Sequence, residues 1–140
     1  MNSQSESLKP LILTFGYGNR KNYDDFLTYL NLFNVKYVVD VRSSPRAWSR
    51  KWYGEEIKKL CDSQNIKYIS SVALGNTSGN KNWIPPNIEE AVKALQEISE
   101  IAMLETTLLL CAEKLPSQCH RVEVANQLQQ LTNTPIQHLE

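Results

Sequence analysis

Short apolar runs alternate along this chain with stretches whose apolar residues recur at helical spacing, and that alternation limits the fold more than any other feature. The runs occupy residues 11–15, 36–41, 66–69 and 106–110, with a short last one at 136–139. Each is the length of a buried strand and is bounded by turn formers. Between them, Phe26, Leu27, Leu30 and Phe33 follow a capping Asn22 and run to Asn34. Ile57, Leu60 and Cys61 mark a helix over residues 55–63, and Ile88, Ala91, Val92, Leu95, Ile98 and Ala102 mark one over 88–103. A last helix is expected from Ser117 or Cys119 to Leu131. Residues 74–87, rich in Gly, Asn, Ser and Pro, read as a long loop.

Strands alternating with helices predict a mostly parallel sheet of about five strands covered on both faces. This is an α/β three-layer sandwich, Rossmann-like or flavodoxin-like, with right-handed crossovers. At 140 residues there is room for one hydrophobic core. We expect a single α/β domain over residues 11–140, after a flexible segment at 1–10.

Composition narrows the class of function. Hydrophobic residues make up 41% and charged residues 21% of the chain, values of an ordinary globular protein rather than a disordered or fibrous one. Fifteen basic residues balance fifteen acidic ones, so any pull on nucleic acid has to be local. The polar start MNSQSESLKP lacks the basic and apolar parts of a signal peptide, and no apolar run reaches membrane-spanning length. A cytoplasmic protein with no membrane partner is expected. Its three cysteines, Cys61, Cys111 and Cys119, then read as reduced thiols rather than a disulfide framework.

In parallel sheets, ligands bind beyond the carboxyl ends of the strands. GYGN (Gly16, Tyr17, Gly18, Asn19) follows the first run, DVRSSPR the second and CAEKLPSQCHR the fourth, so these three loops should share one edge. The first lacks the third glycine of a dinucleotide fingerprint, and Asp40 is a loose match for a ribose-binding carboxylate. Around the second, Arg42, Arg46, Arg50 and Lys51 are interleaved with Trp48, Trp52 and Tyr53. Guanidinium forks match phosphates and aromatic faces stack on bases. The structural reading of the same segment is a solvated loop whose tryptophans pack onto the fold.

CAEKLPSQCHR concentrates reactive groups. Pro116-Ser117-Gln118 reads as a helix start, with Cys119, His120 and Arg121 in or near its first turn, where N–H groups attract anions and stabilise thiolates. Cys119 is therefore a candidate thiolate or part of an anion cradle, while buried structural cysteines are the alternative. A tyrosine-phosphatase-like loop fails, because Cys111 lies ten positions and Cys119 two before Arg121. Cys111, Cys119 and His120 are the ligands zinc would take, but the cysteine spacing is not that of a usual structural site and only Cys61 and His138 remain as a distant fourth. No cofactor is required by the sequence. Glu113 is a candidate general base, or an ion-pair partner for an arginine.

Taken together, the early T-x-G-Y-G-N, the V-D-V-R-x-x-P-R and the L-L-C-A-E-K-x-P-x-x-C-H-R resemble the domain-of-unknown-function 488 family over nearly the whole chain. The resemblance implies a compact α/β domain. It also implies characteristic polar positions at Gly16 to Asn19, at Asp40, Arg42, Pro45 and Arg46, and at Cys111, Glu113, Lys114, Cys119, His120 and Arg121. After Leu74-Gly75 the chain departs from the family pattern, with Asn76 where a second glycine is common and a shorter insert.

The reading that follows is an enzyme acting on a phosphate-bearing small molecule, a nucleotide or a nucleic acid. Gly16, Tyr17, Gly18, Asn19, Asp40, Arg42, Arg46 and Arg121 would bind, and Glu113, Cys119 and His120 would do acid–base or nucleophilic work. Two alternatives stand beside it: a non-catalytic nucleotide or nucleic-acid binding module using residues 42–53, and a thiol redox or metal-sensing protein using Cys111 and Cys119.

Overall fold

Strands that read as continuous apolar runs need both faces of their sheet covered. The computed structural model, which describes residues 9–113, 115 and 119–140, shows this arrangement. β1 (Ile12–Gly16), β2 (Tyr37–Asp40), β3 (Lys67–Ser70), β4 (Thr107–Cys111) and β5 (Ile136–His138) form one parallel sheet in the order β3-β2-β4-β1-β5. The central strands β1 and β4 are buried throughout, and the edge strands β3 and β5 are partly exposed.

Side chains alternate across the sheet, as the two-residue period of a strand requires. Leu13, Phe15, Val38, Leu108 and Leu110 meet Phe26 and Leu30 of α1 (Asp24–Leu32) and Ile57 and Cys61 of α2 (Gly54–Ser63). On the other face, Ile12, Val39, Leu109 and Cys111 meet Ala94, Leu95 and Ile98 of α3 (Ile88–Ala102) and Val124, Ala125 and Leu128 of α4 (Arg121–Thr132). The result is the three-layer α/β sandwich. Each fully buried Leu, Ile or Phe contributes about 1.5–3 kcal/mol of transfer free energy.

Local chemistry sets the helix ends. Asn87 caps α3 by accepting the Glu90 N–H at 3.0 Å, and Glu89 and Glu90 place negative charge at the positive end of the dipole. Asn34, Asn65 and Asn133, just past α1, α2 and α4, have φ of 53°, 60° and 59°, the left-handed region that asparagine tolerates best after glycine. The expected helix start at residues 116–118, Lys114, and residues 1–8 of the expected flexible segment lie outside the described residues. Among the described residues no helix is long and apolar enough to cross a membrane.

The strand order positions the site. From β2 the chain moves to β3 at one edge, whereas from β4 it moves to β5 at the other, so the carboxyl ends of these neighbours leave a crevice between them. Register brings the loops together there, with Gly16 opposite Cys111 and Asp40 opposite Leu110.

Candidate functional site

One wall of the crevice is built by Asp40 and Arg42. Two residues apart at a strand end, they point to the same side. The Asp40 carboxylate accepts from Arg42 Nε at 2.7 Å and from its Nη2 at 2.6 Å. It also accepts from the Tyr68 hydroxyl at 2.5 Å and the Arg42 N–H at 3.2 Å. Arg42 Nη1 donates to the Trp52 carbonyl at 2.8 Å. Both side chains are buried, and a buried pair of this kind persists because each of its polar atoms has a hydrogen-bond partner. Burial raises the Tyr68 phenol above its ordinary value, and the bond to Asp40 adds to the shift.

The opposite corner belongs to the end of β4 and the start of α4. His120 Nε2 lies 3.0 Å from the Val41 carbonyl and 2.9 Å from that of Leu74. Both partners are acceptors, so this nitrogen carries the proton. The other nitrogen, Nδ1, faces Cys111 Sγ at 3.8 Å and Cys119 Sγ at 4.0 Å. All three side chains are buried, and the two sulfurs and Nδ1 lie within 4.8 Å of one another. The thiols share their environment unequally. Cys119 is held well below the ordinary thiol range, first by the hydrogen bond from Cys111 and then by His120, the Arg121 N–H and the Arg121 charge, against the opposing pull of burial. Cys111 is pushed well above it, by that same bond and by burial. Cys61 sits in the other core layer, where burial pushes it up to about 12.

Two glycines let these walls approach. A Cβ on Gly16 would stand 1.6 Å from the Glu113 carbonyl oxygen, and one on Gly75 would stand 2.5 Å from Ser43 Oγ. Arg121, fully buried, donates through Nη1 to that Glu113 carbonyl, so its guanidinium holds the β4 loop from behind. Ser43 and Asn76 exchange bonds of 3.0 and 3.1 Å. These tie the loop after Gly75 to the Arg42 wall.

The two walls enclose a cavity of about 270 Å³ whose lining includes Tyr17, Arg42, Arg46, Asn76, Cys119 and His120, with Cys111 and Glu113. It adjoins a broader cavity of about 1620 Å³, to which Gly18, Asn19, Lys21, Lys51 and Trp48 contribute. Tyr17, Ser44, Arg46, Ala112 and Glu113 belong to both. The sequence candidates thus gather at one edge but in different states. Asp40 and Arg42 are locked to each other, Arg121 is engaged behind the wall, and Arg46 and Glu113 are exposed at the rim.

The two tryptophans of the basic segment part company. Trp52 is buried, stacked on Tyr17 at 5.1 Å, with its indole N–H on the Arg20 carbonyl at 3.1 Å. Trp48 is fully exposed. Sequence reasoning missed Tyr68, Ser43 and Asn76. Only the Gly75-Asn76 pair, a tight turn followed by an amide, carried a local signal for its part of the site.

The model of the family described as Domain of unknown function DUF488 matches residues 22–128. The matched span takes in residues 40–46 and 111–121, both walls of the crevice, and begins after residues 16–19. No curated protein and no solved structure matches the chain significantly.

Proposed function

The chain belongs to the DUF488 family, and from that premise we propose that the crevice between β2 and β4 is the centre of an enzyme acting on a phosphate-bearing ligand, a nucleotide or a nucleic acid. One observation carries the reading. Exposed Arg46 and the corner of Cys111, Cys119 and His120 line the same cavity, at the place where parallel α/β sheets bind ligands.

Each group has a role suited to its surroundings. Arg46 meets the anion, since the forks of Arg42 and Arg121 are turned to Asp40 and to the Glu113 carbonyl. Ser43, Ser44 and Asn76 add hydroxyl and amide groups. Cys119 and His120 form the reacting wall, and Glu113, exposed at the rim, moves protons. The rest of the ligand extends into the broader cavity past Lys21 and Lys51 to Trp48, whose exposed face suits a base. That exposed tryptophan beside cationic side chains also favours the second reading, a module that binds single strands without turnover.

Calorimetric titration with mononucleotides and a single-stranded oligonucleotide tests both. Arg46→Ala should weaken binding by roughly tenfold or more, about 1.4 kcal/mol, with an unchanged melting temperature. Cys119→Ser should abolish turnover. Undiminished affinity in Arg46→Ala removes the reading. Salt-dependent binding without turnover by the wild type, lost in Trp48→Ala, would establish the binding module instead.

A further inference from the structure

The two ring nitrogens of His120 face different partners. With Nε2 donating to the Val41 and Leu74 carbonyls, the ring turns its other nitrogen, Nδ1, toward two sulfurs at once, and an ion bound there would take the place of any proton on Nδ1 and on the thiols. Metal-bound histidines show this pattern, with the far N–H fixed on a backbone carbonyl and the near nitrogen presented to the ion.

Distances agree with such a use. Zinc–sulfur bonds of about 2.3 Å and zinc–nitrogen bonds of about 2.0–2.1 Å at tetrahedral angles separate the ligand atoms by roughly 3.5–3.8 Å. The sulfur–nitrogen separations of 3.8 and 4.0 Å exceed that range by a few tenths of an ångström at most, and the two sulfurs lie within 4.8 Å of each other, so they would draw together toward roughly 3.8 Å. Adjusting side-chain torsions closes that difference without moving the sheet. The donors are held in advance, Cys111 by its place in β4 and His120 by two carbonyls from separate loops. Two thiolates neutralise a divalent ion, which answers the usual objection to placing charge in a buried site. A sulfur-rich donor set with one imidazole selects a thiophilic tetrahedral ion over magnesium or calcium.

We propose that Cys111, Cys119 and His120 hold one zinc-class ion through two sulfurs and Nδ1, with the fourth position open to the cavity for a water or for an oxygen of the phosphate-bearing ligand. Three protein ligands and one open position are the arrangement of catalytic rather than structural zinc. The proposal deepens the function above and rests on it for the identity of the fourth ligand. The metal site itself stands on the geometry of the corner. It also explains a cysteine spacing that no zinc pattern predicts, since β4 and the α4 start bring the ligands together in space.

The full chain, purified under reducing conditions and stripped with a chelator, is titrated with Zn²⁺ and with Co²⁺. One equivalent is expected, with a thiolate-to-cobalt charge-transfer band and the intense d–d absorption of four-coordination. Cys119→Ser should weaken binding by more than the roughly 10–100-fold that a lost outer-shell partner costs, and Cys61→Ala should leave it intact. In the wild type, Zn²⁺ should also protect Cys111 and Cys119 from alkylation mapped by mass spectrometry, a readout that needs no variant to fold. Substoichiometric metal, a cobalt spectrum without the thiolate band, or unprotected cysteines would overturn the site. So would a native protein lighter by two hydrogens, with the two cysteines joined as a disulfide. A cobalt spectrum that ignores added nucleotide and inorganic phosphate would keep the metal site and remove the phosphate-bearing ligand.

Discussion

Two buried polar clusters face each other across one sheet edge, and they differ in what their polar groups are turned toward. After β2, the Asp40 carboxylate is fully used by Arg42, Tyr68 and a backbone N–H, and Arg42 reaches on to the Trp52 carbonyl. After β4, Cys111, Cys119 and His120 bring two sulfurs and a ring nitrogen within 4.8 Å of one another in the cavity lining. The first cluster is a closed brace and the second an open corner. Charge alone is therefore a poor guide to chemistry here. The guanidinium that looks most like a phosphate ligand holds the loop, and the less conspicuous thiols and imidazole converge.

If the brace is closed, breaking it costs most. Asp40→Ala would leave the buried Arg42 charge uncompensated, and we expect a loss of about 3–5 kcal/mol in urea denaturation. A loss below 1 kcal/mol would show that the wall is less closed than described. Tyr68→Phe removes one donor from a carboxylate that keeps its arginine, with an expected cost of about 1.5–3 kcal/mol. It should also change the alkaline limb. The phenol is raised in the folded state, first by burial and then by Asp40, so the stability it contributes is intact below the unfolded value of about 10 and falls as pH climbs beyond it. The variant should lose stability less steeply above pH 10 than the wild type does. A decline of unchanged slope would move that dependence to Tyr17, Tyr23 and Cys61, which burial also raises.

The open corner should be the least costly to alter. In metal-free, reduced protein, Cys119→Ala deletes one buried sulfur, and about 1 kcal/mol is expected. A loss equal to that of Asp40→Ala would erase the contrast, making the thiol pair a structural brace of its own.

Much of this fold was legible because helices and strands write their periods locally. Phe26 and Leu30, or Ala91, Leu95 and Ile98, announce the buried stripe of a helix, and the runs that became β1 and β4 announced strands covered on both faces. At the site, the sharing of one edge by the three loops followed from the parallel class alone. The pairing of Asp40 with Arg42 was not read there: both were expected to bind the ligand, and only the structure shows the guanidinium turned to the carboxylate two residues before it. Trp48 and Trp52, by contrast, lie in the same kind of local sequence. Only the packing of Phe15, Tyr17 and Phe26 around Trp52 separates the buried one from the exposed one.

By itself the sequence determined the α/β class and the edge at which chemistry could gather, because side-chain period and turn chemistry act over a few residues. Tertiary structure decided the rest. It placed β4 between β1 and β2, it turned Arg42 inward, and it set His120 on carbonyls 79 and 46 residues away. Those partnerships depend on strand order and register, and no local pattern encodes the distance across which two segments will meet.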